Sequence, residues 1–260
     1  MDMAAHTMSQ QELMGGYILL ALTLIATLAL AGLLLARLLN LAAVSTRLLV
    51  VLAVGAVSFQ VVHFSDHLLQ LGYWFAHPTE PGWMPPWSRV AAEGLACLAG
   101  YHGEMKAGME LLHLGGNWIF LTGIFALYLT VRSFRSRQKT GQHRATRRAT
   151  RKAMSAARVA FWVQLVHVIE HVSLTGSYFL MGRAIGLSTL FGASIYLGDA
   201  WASSIRIWWH FLMNLAVTVA GVLALRGLRR AGLLSSRAVP ASTDEAHETA
   251  KHKRPHLMWQ

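Results

Sequence analysis

Two stretches of the chain set metal-binding side chains in the same register. Residues 60–72 read QVVHFSDHLLQLG and residues 164–176 read QLVHVIEHVSLTG, so a glutamine, two histidines, an acid and a glycine recur 104 positions apart. A shorter pattern follows each: HLGGN at 113–117 and HFLMN at 210–214. One HxxxN would mean little, but both patterns recurring in the same order points to duplication rather than chance.

The spacing matters because a helix turns about 100° per residue, so positions three and four apart share a face. His63, Asp66 and His67 fall on one such face, and His167, Glu170 and His171 on another. Imidazole and carboxylate projecting together suit a transition ion, and histidine-rich sets favour copper, iron or zinc over magnesium or calcium. His113 and His210, from the partner segments, complete an expected set of eight ligands: His63, Asp66, His67, His113, His167, Glu170, His171 and His210. Asn117, Asn214, Gln60 and Gln164 lie about a turn away and are expected to orient the imidazoles from behind. The layout parallels di-iron carboxylate bundles, where inward ligands come from four helices, but here histidines outnumber acids. Haem b held by facing histidines is the alternative cofactor, and it gives Asp66 and Glu170 no task. His6, His77, His143, His247, His252 and His256 lie in tails and loops and are assigned no role.

Only membrane-spanning helices account for the sequence that carries these groups. The 260 residues are 54% hydrophobic and 13% charged, about half the charged fraction of an ordinary soluble domain. Five apolar segments qualify as spans: 16–36, 48–73, 109–131, 159–180 and 207–225. At about 1.5 Å per residue each can cross roughly 30 Å of hydrocarbon. The expected fold is therefore all-α, a polytopic bundle over 1–234. Two hairpin repeats, 48–131 and 159–225, stand beside a first helix outside the duplication. An ionisable group at mid-helix costs about 2.5–3.5 kcal/mol to insert, so the acids must face partners and not lipid.

Charge sets the expected orientation. The segment 132–158 holds ten basic residues and no acid, and Arg226, Arg229 and Arg230 follow the last span. These positions belong in the cytoplasm, with the N-terminus outside and the cytoplasmic (plasma) membrane as the location. The net charge of +11 is thus a topology signal. The basic loop meets anionic lipid, and nucleic acid is not an expected partner, whereas other membrane subunits are. The stretch before residue 15 has no basic residue and is read as leading into a retained helix, not a signal peptide. Residues 235–260, polar and mixed in charge, read as a disordered cytoplasmic tail.

One cysteine, Cys97, excludes an internal disulfide and a cysteine-rich metal site. The Pro- and Trp-rich connection 77–87 reads as an interfacial loop, and 184–197 as an interfacial or re-entrant segment too short to span. The expectation is a membrane metalloprotein suited to oxidoreductase chemistry. Electron transfer through haem and metal or proton transport are the competing readings.

Overall fold

The computed structural model describes residues 9–39, 44–78, 83–137, 144–191 and 199–232, and among them every regular element is an α-helix. They are α1 (Gln10–Leu38), α2 (Thr46–Ala76), α3 (Pro86–Leu98), α4 (Met105–Arg137), α5 (Arg144–Met181), α6 (Leu187–Phe191) and α7 (Asp199–Arg230). The tail expected to be disordered lies outside the described residues.

Local sequence explains the ends. Ser9 and Glu12 form a reciprocal capping box that starts α1, with bonds of 3.3 and 2.8 Å, satisfying amide hydrogens that have no helical partner. Pro86 occupies the first turn of α3, where its missing N–H costs nothing. Gly100 and Gly103 have φ of 82° and 79°, a backbone that side chains resist. That tight turn sends the chain from α3 straight into α4.

Four helices are long and apolar enough to cross a membrane: α1, α2, residues 105–136 of α4 and residues 205–230 of α7. This fits an integral membrane protein. The segment 159–180 of α5 falls short on composition, since it carries Gln164, His167, Glu170 and His171 behind a basic first half. Length is not its obstacle, for α5 has 38 residues.

The helices differ sharply in what they bury. In α4, 72% of the apolar window is buried, against 17% in α1. Accordingly α4 is the central helix, packed by α1, α2, α3 and α5. Tyr17, Ile18, Leu24, Ile25 and Leu28 of α1 and Val51, Val62 and Leu68 of α2 point outward. So much contiguous apolar surface is stable against acyl chains and not against water. At one end of the bundle a dry core joins α2, α4, α5 and α7 through Val57, Phe120, Ile124, Leu127, Ala157 and Val217.

Small residues let these helices approach. A Cβ placed on Gly123 would lie 1.8 Å from the Cβ of Ala56, so α2 and α4 touch backbone to backbone there, as membrane helices commonly do. Gly55 faces open space. Gly123→Ala should therefore destabilise the protein by about 1–3 kcal/mol through overpacking, whereas Gly55→Ala should be neutral or stabilising by up to ~1 kcal/mol through helix propensity. Thermal unfolding in detergent checks this, and equal melting temperatures for the two variants would contradict the packing described.

Candidate metal centre

Six imidazoles from four helices meet on the other side of the dry core. His63 and His67 come from α2, His113 from α4, His167 and His171 from α5, and His210 from α7; each is 9% exposed or less. Within each four-residue pair the Nε2 atoms approach closely, at 3.3 Å for His63 and His67 and 3.2 Å for His167 and His171. Two nitrogens on one tetrahedral ion, with bonds of about 2.0–2.1 Å, would sit about 3.3 Å apart. Ring contacts then join the two halves. His113 stacks on His171 at 5.5 Å between centroids, and His67 lies parallel to His210 at 6.2 Å.

His113 and His210 are held identically. The Nδ1 of His113 is 2.7 Å from the carbonyl oxygen of Met109, and that of His210 is 2.7 Å from the carbonyl oxygen of Arg206. A carbonyl only accepts, so in both rings Nδ1 carries the proton and Nε2 presents a lone pair. Carbonyl-anchored imidazole of this kind is how protein metal ligands are commonly fixed.

His167, His171 and His210 can each place one ring nitrogen within 4.8 Å of the others. In each of the three, one buried ring nitrogen has no hydrogen-bond partner: Nδ1 of His167, Nδ1 of His171 and Nε2 of His210. An unsatisfied buried polar atom costs about 1–3 kcal/mol. If an ion takes the paired Nε2 atoms of His167 and His171, their Nδ1 atoms face away from it, so of the three only Nε2 of His210 is an unpaired nitrogen left to offer the same ion.

The two carboxylates are turned elsewhere, which revises the ligand set expected from helical spacing. Asp66 accepts hydrogen bonds from Trp87 Nε1 at 2.6 Å and Ser88 Oγ at 2.5 Å, at the start of α3. Glu170 accepts from the backbone N–H of Leu187 and Ser188 and from Ser188 Oγ, at 2.5–2.9 Å. Each acid therefore pins the beginning of a short outer helix to a histidine-bearing helix. An anion at a helix N-terminus also meets the positive end of its dipole. Sequence spacing put acid and imidazole on one broad face of about 100°, and the short helices claim its edge. Ser88 and Ser188, each at a helix start beyond the segment it serves, were the missed signal. The parallel with carboxylate-bridged iron sites does not carry over.

The amides also act differently from expectation. Asn117 Nδ2 donates to the carbonyl of His113 and Asn214 Nδ2 to that of His210, at 2.9 and 2.8 Å, so they hold main chain and not rings. Their Oδ1 atoms are shared across the molecule: Gln60 Nε2 donates to Asn214 at 2.7 Å, and Gln164 Nε2 to Asn117 at 3.0 Å. The amide set is a cross-brace between the halves.

A cavity of about 290 Å³ runs from His67, His113, His171 and His210 past Met109 to Lys106 and Trp83. Lys106 begins α4, and His77, which follows α2, is also on its wall, so it reaches the end of the bundle. Trp83 stacks on Tyr73 at 5.4 Å. The connection expected to be merely interfacial thus supplies a wall of the site, and His77 gains a place there. Arg206, also on the cavity wall, pairs with the fully buried Glu110 at 2.6 Å, an ion pair the sequence did not announce.

Fold and site define a polytopic helical bundle with a buried polyhistidine centre reached from one end. Over residues 1–254 the chain matches the family described as "Family of unknown function (DUF6008)", and it belongs to that family. Neither curated proteins nor solved structures give a match.

If Glu170 anchors α6, Glu170→Ala removes bonds to a charged acceptor worth about 1.5–3 kcal/mol each. Amide exchange across 186–190 should then accelerate by roughly tenfold or more for every 1.4 kcal/mol lost. Unchanged exchange in that segment would refute the anchoring role.

Proposed function

We propose that this chain is a five-span membrane metalloprotein whose six histidines hold one or two transition ions, copper, iron or zinc, for oxidoreductase chemistry on a small substrate. The observation that carries the reading is the trio His167, His171 and His210, all buried, with one ring nitrogen of each within 4.8 Å of the others. An ion held by imidazoles with an open position toward the cavity would serve as a Lewis acid or redox centre. The chain's own residues would do the rest. The carbonyls of Met109 and Arg206 fix the lone pairs of His113 and His210, the core below keeps water out, and Trp83 and Tyr73 shape the approach.

Duplication is part of the proposal. The pairs Asp66–Ser88 and Glu170–Ser188, and the reciprocal glutamine–asparagine bonds, match element for element as a repeated hairpin requires. Counting α5 as a span as well, for five in all, puts 132–158 and Arg226–Arg230 on one side, which the positive-inside rule makes cytoplasmic, with the cavity facing out. The plasma membrane is then the location, the bilayer and its acidic lipids the immediate partners, and further membrane subunits admissible ones.

The competing readings fare less well. A flat macrocycle needs a slot between two axial rings, yet the six imidazoles crowd at centroid distances of 4.8–6.2 Å. Transport needs polar steps across the whole bundle, and past the Gln–Asn layer the core is Val57, Phe120, Ile124 and Leu127, with buried threonines such as Thr130 and Thr150 bonded back to their own helices.

Elemental analysis of the full-length protein, purified without chelator, should find at least about one equivalent of copper, iron or zinc, because several imidazole donors converge on one ion. His171→Ala and His210→Ala should lower that content roughly tenfold or more, the scale on which even supporting residues act. Asp66→Asn, whose carboxylate faces Trp87 and Ser88, should keep most of it. Metal at trace level in the wild-type protein would sink the proposal, and a Soret band would replace it with haem.

A further inference from the structure

At the end of the bundle away from the histidine cavity, two hollows between α5 and α7 run into one another. The wider, about 1010 Å³, is lined by Arg144, Arg148, Lys152, Arg226 and Arg230. The narrower, about 580 Å³, is lined by Val159, Leu215, Val219 and Ala220. Lys152, Ala156 and Leu223 belong to both, which makes one groove with a cationic head and an apolar stem.

The sequence builds it by period. Arg144, Arg148 and Lys152 are four apart and so share one face of α5, and Arg226 and Arg230 do the same on α7. One turn further toward the bundle centre each helix switches to small and apolar side chains. The floor is closed where the helices touch, since a Cβ on Gly227 would lie 2.6 Å from that of Ala153. Among the described residues no acidic side chain lines either hollow. Five cations facing one another repel, and an anion placed among them relieves that repulsion. Exposed arginines alone would be an ordinary solvated surface. Here the half-exposed Val159, Val219 and Leu223 continue the groove into an apolar slot that a free anion would not use.

We propose that this groove binds an acidic phospholipid, with its phosphate among Arg148, Lys152 and Arg226 and an acyl chain lying along Val159, Leu215 and Val219. The proposal depends on the helices lying in a bilayer and not on any metal.

The test uses full-length protein reconstituted in nanodiscs of phosphatidylcholine with a minor fraction of phosphatidylglycerol, followed by native mass spectrometry of the lipids it retains. Phosphatidylglycerol should be retained in preference to phosphatidylcholine. The triple variant R148Q/K152Q/R226Q should weaken retention roughly tenfold or more, since it removes three cations from around the phosphate. Leu223→Trp, which fills the stem and leaves every charge in place, should weaken it as well. Equal retention of the two lipids, or wild-type retention in the triple variant, would overturn the proposal. Displacement of the lipid by inorganic phosphate with no effect of Leu223→Trp would reassign the groove to a free anion. A rise in lipid retention on neutralising Asp244, Glu245 and Glu248 would show the C-terminal segment to be the occupant instead.

Discussion

Polar side chains inside a bundle with an apolar outer surface have nowhere to go but toward each other, and the architecture follows from that constraint. Water is not available to satisfy them, so each buried amide, acid or imidazole either finds a partner or carries a desolvation cost of several kcal/mol. Gln60, Gln164, Asn117 and Asn214 are each 0% exposed and meet one another. Asp66 and Glu170 reach outward to the nearest unpaired donors, which belong to α3 and α6. The histidines instead crowd ring against ring, and they are the groups with lone pairs to offer an ion.

Much of this was legible from sequence, and the reasons are specific. Helical spacing alone placed the six histidines on facing stripes of four helices, because an interior imidazole has no stable lipid-facing alternative. Hydropathy located the long apolar helices for the same reason. What spacing could not show was direction within a face. Asp66 and His67 are adjacent in sequence, yet one serves α3 while the other joins the ring cluster. That choice depends on where Ser88 arrives, and Ser88 is placed by a connection whose Pro- and Trp-rich composition says only that it prefers an interface. The Gln–Asn brace was hidden for a related reason: the residues were visible, but which half each would bond was not. Arg206 and Glu110, far apart in the chain, offered no local pattern at all.

The interior is asymmetric along its length, and chemistry would use that. Below the imidazoles come the amide brace and then mainly aliphatic and aromatic packing, where buried threonines such as Thr130 and Thr150 bond back to their own helices. Above them is a small cavity with aromatic walls, lined also by Lys106 and Arg206. On the proposed function, a small molecule reaching the imidazoles would come and go through that cavity. The opposite end of the molecule is cationic on its surface, so the two ends face their surroundings with different chemistry.

The amide brace has a consequence for how the chain is assembled. The ribosome delivers α2 and α4 before α5 and α7, so Gln60 and Asn117 enter the bilayer before Asn214 and Gln164 exist to receive them. The early helices must wait, loosely associated and with open amide groups, until the later pair is released beside them. Asn214 lies in α7, which follows the other described helices, so the brace closes only once that helix is made. A ribosome stalled before α7 would expose a half-built protein to quality-control proteases.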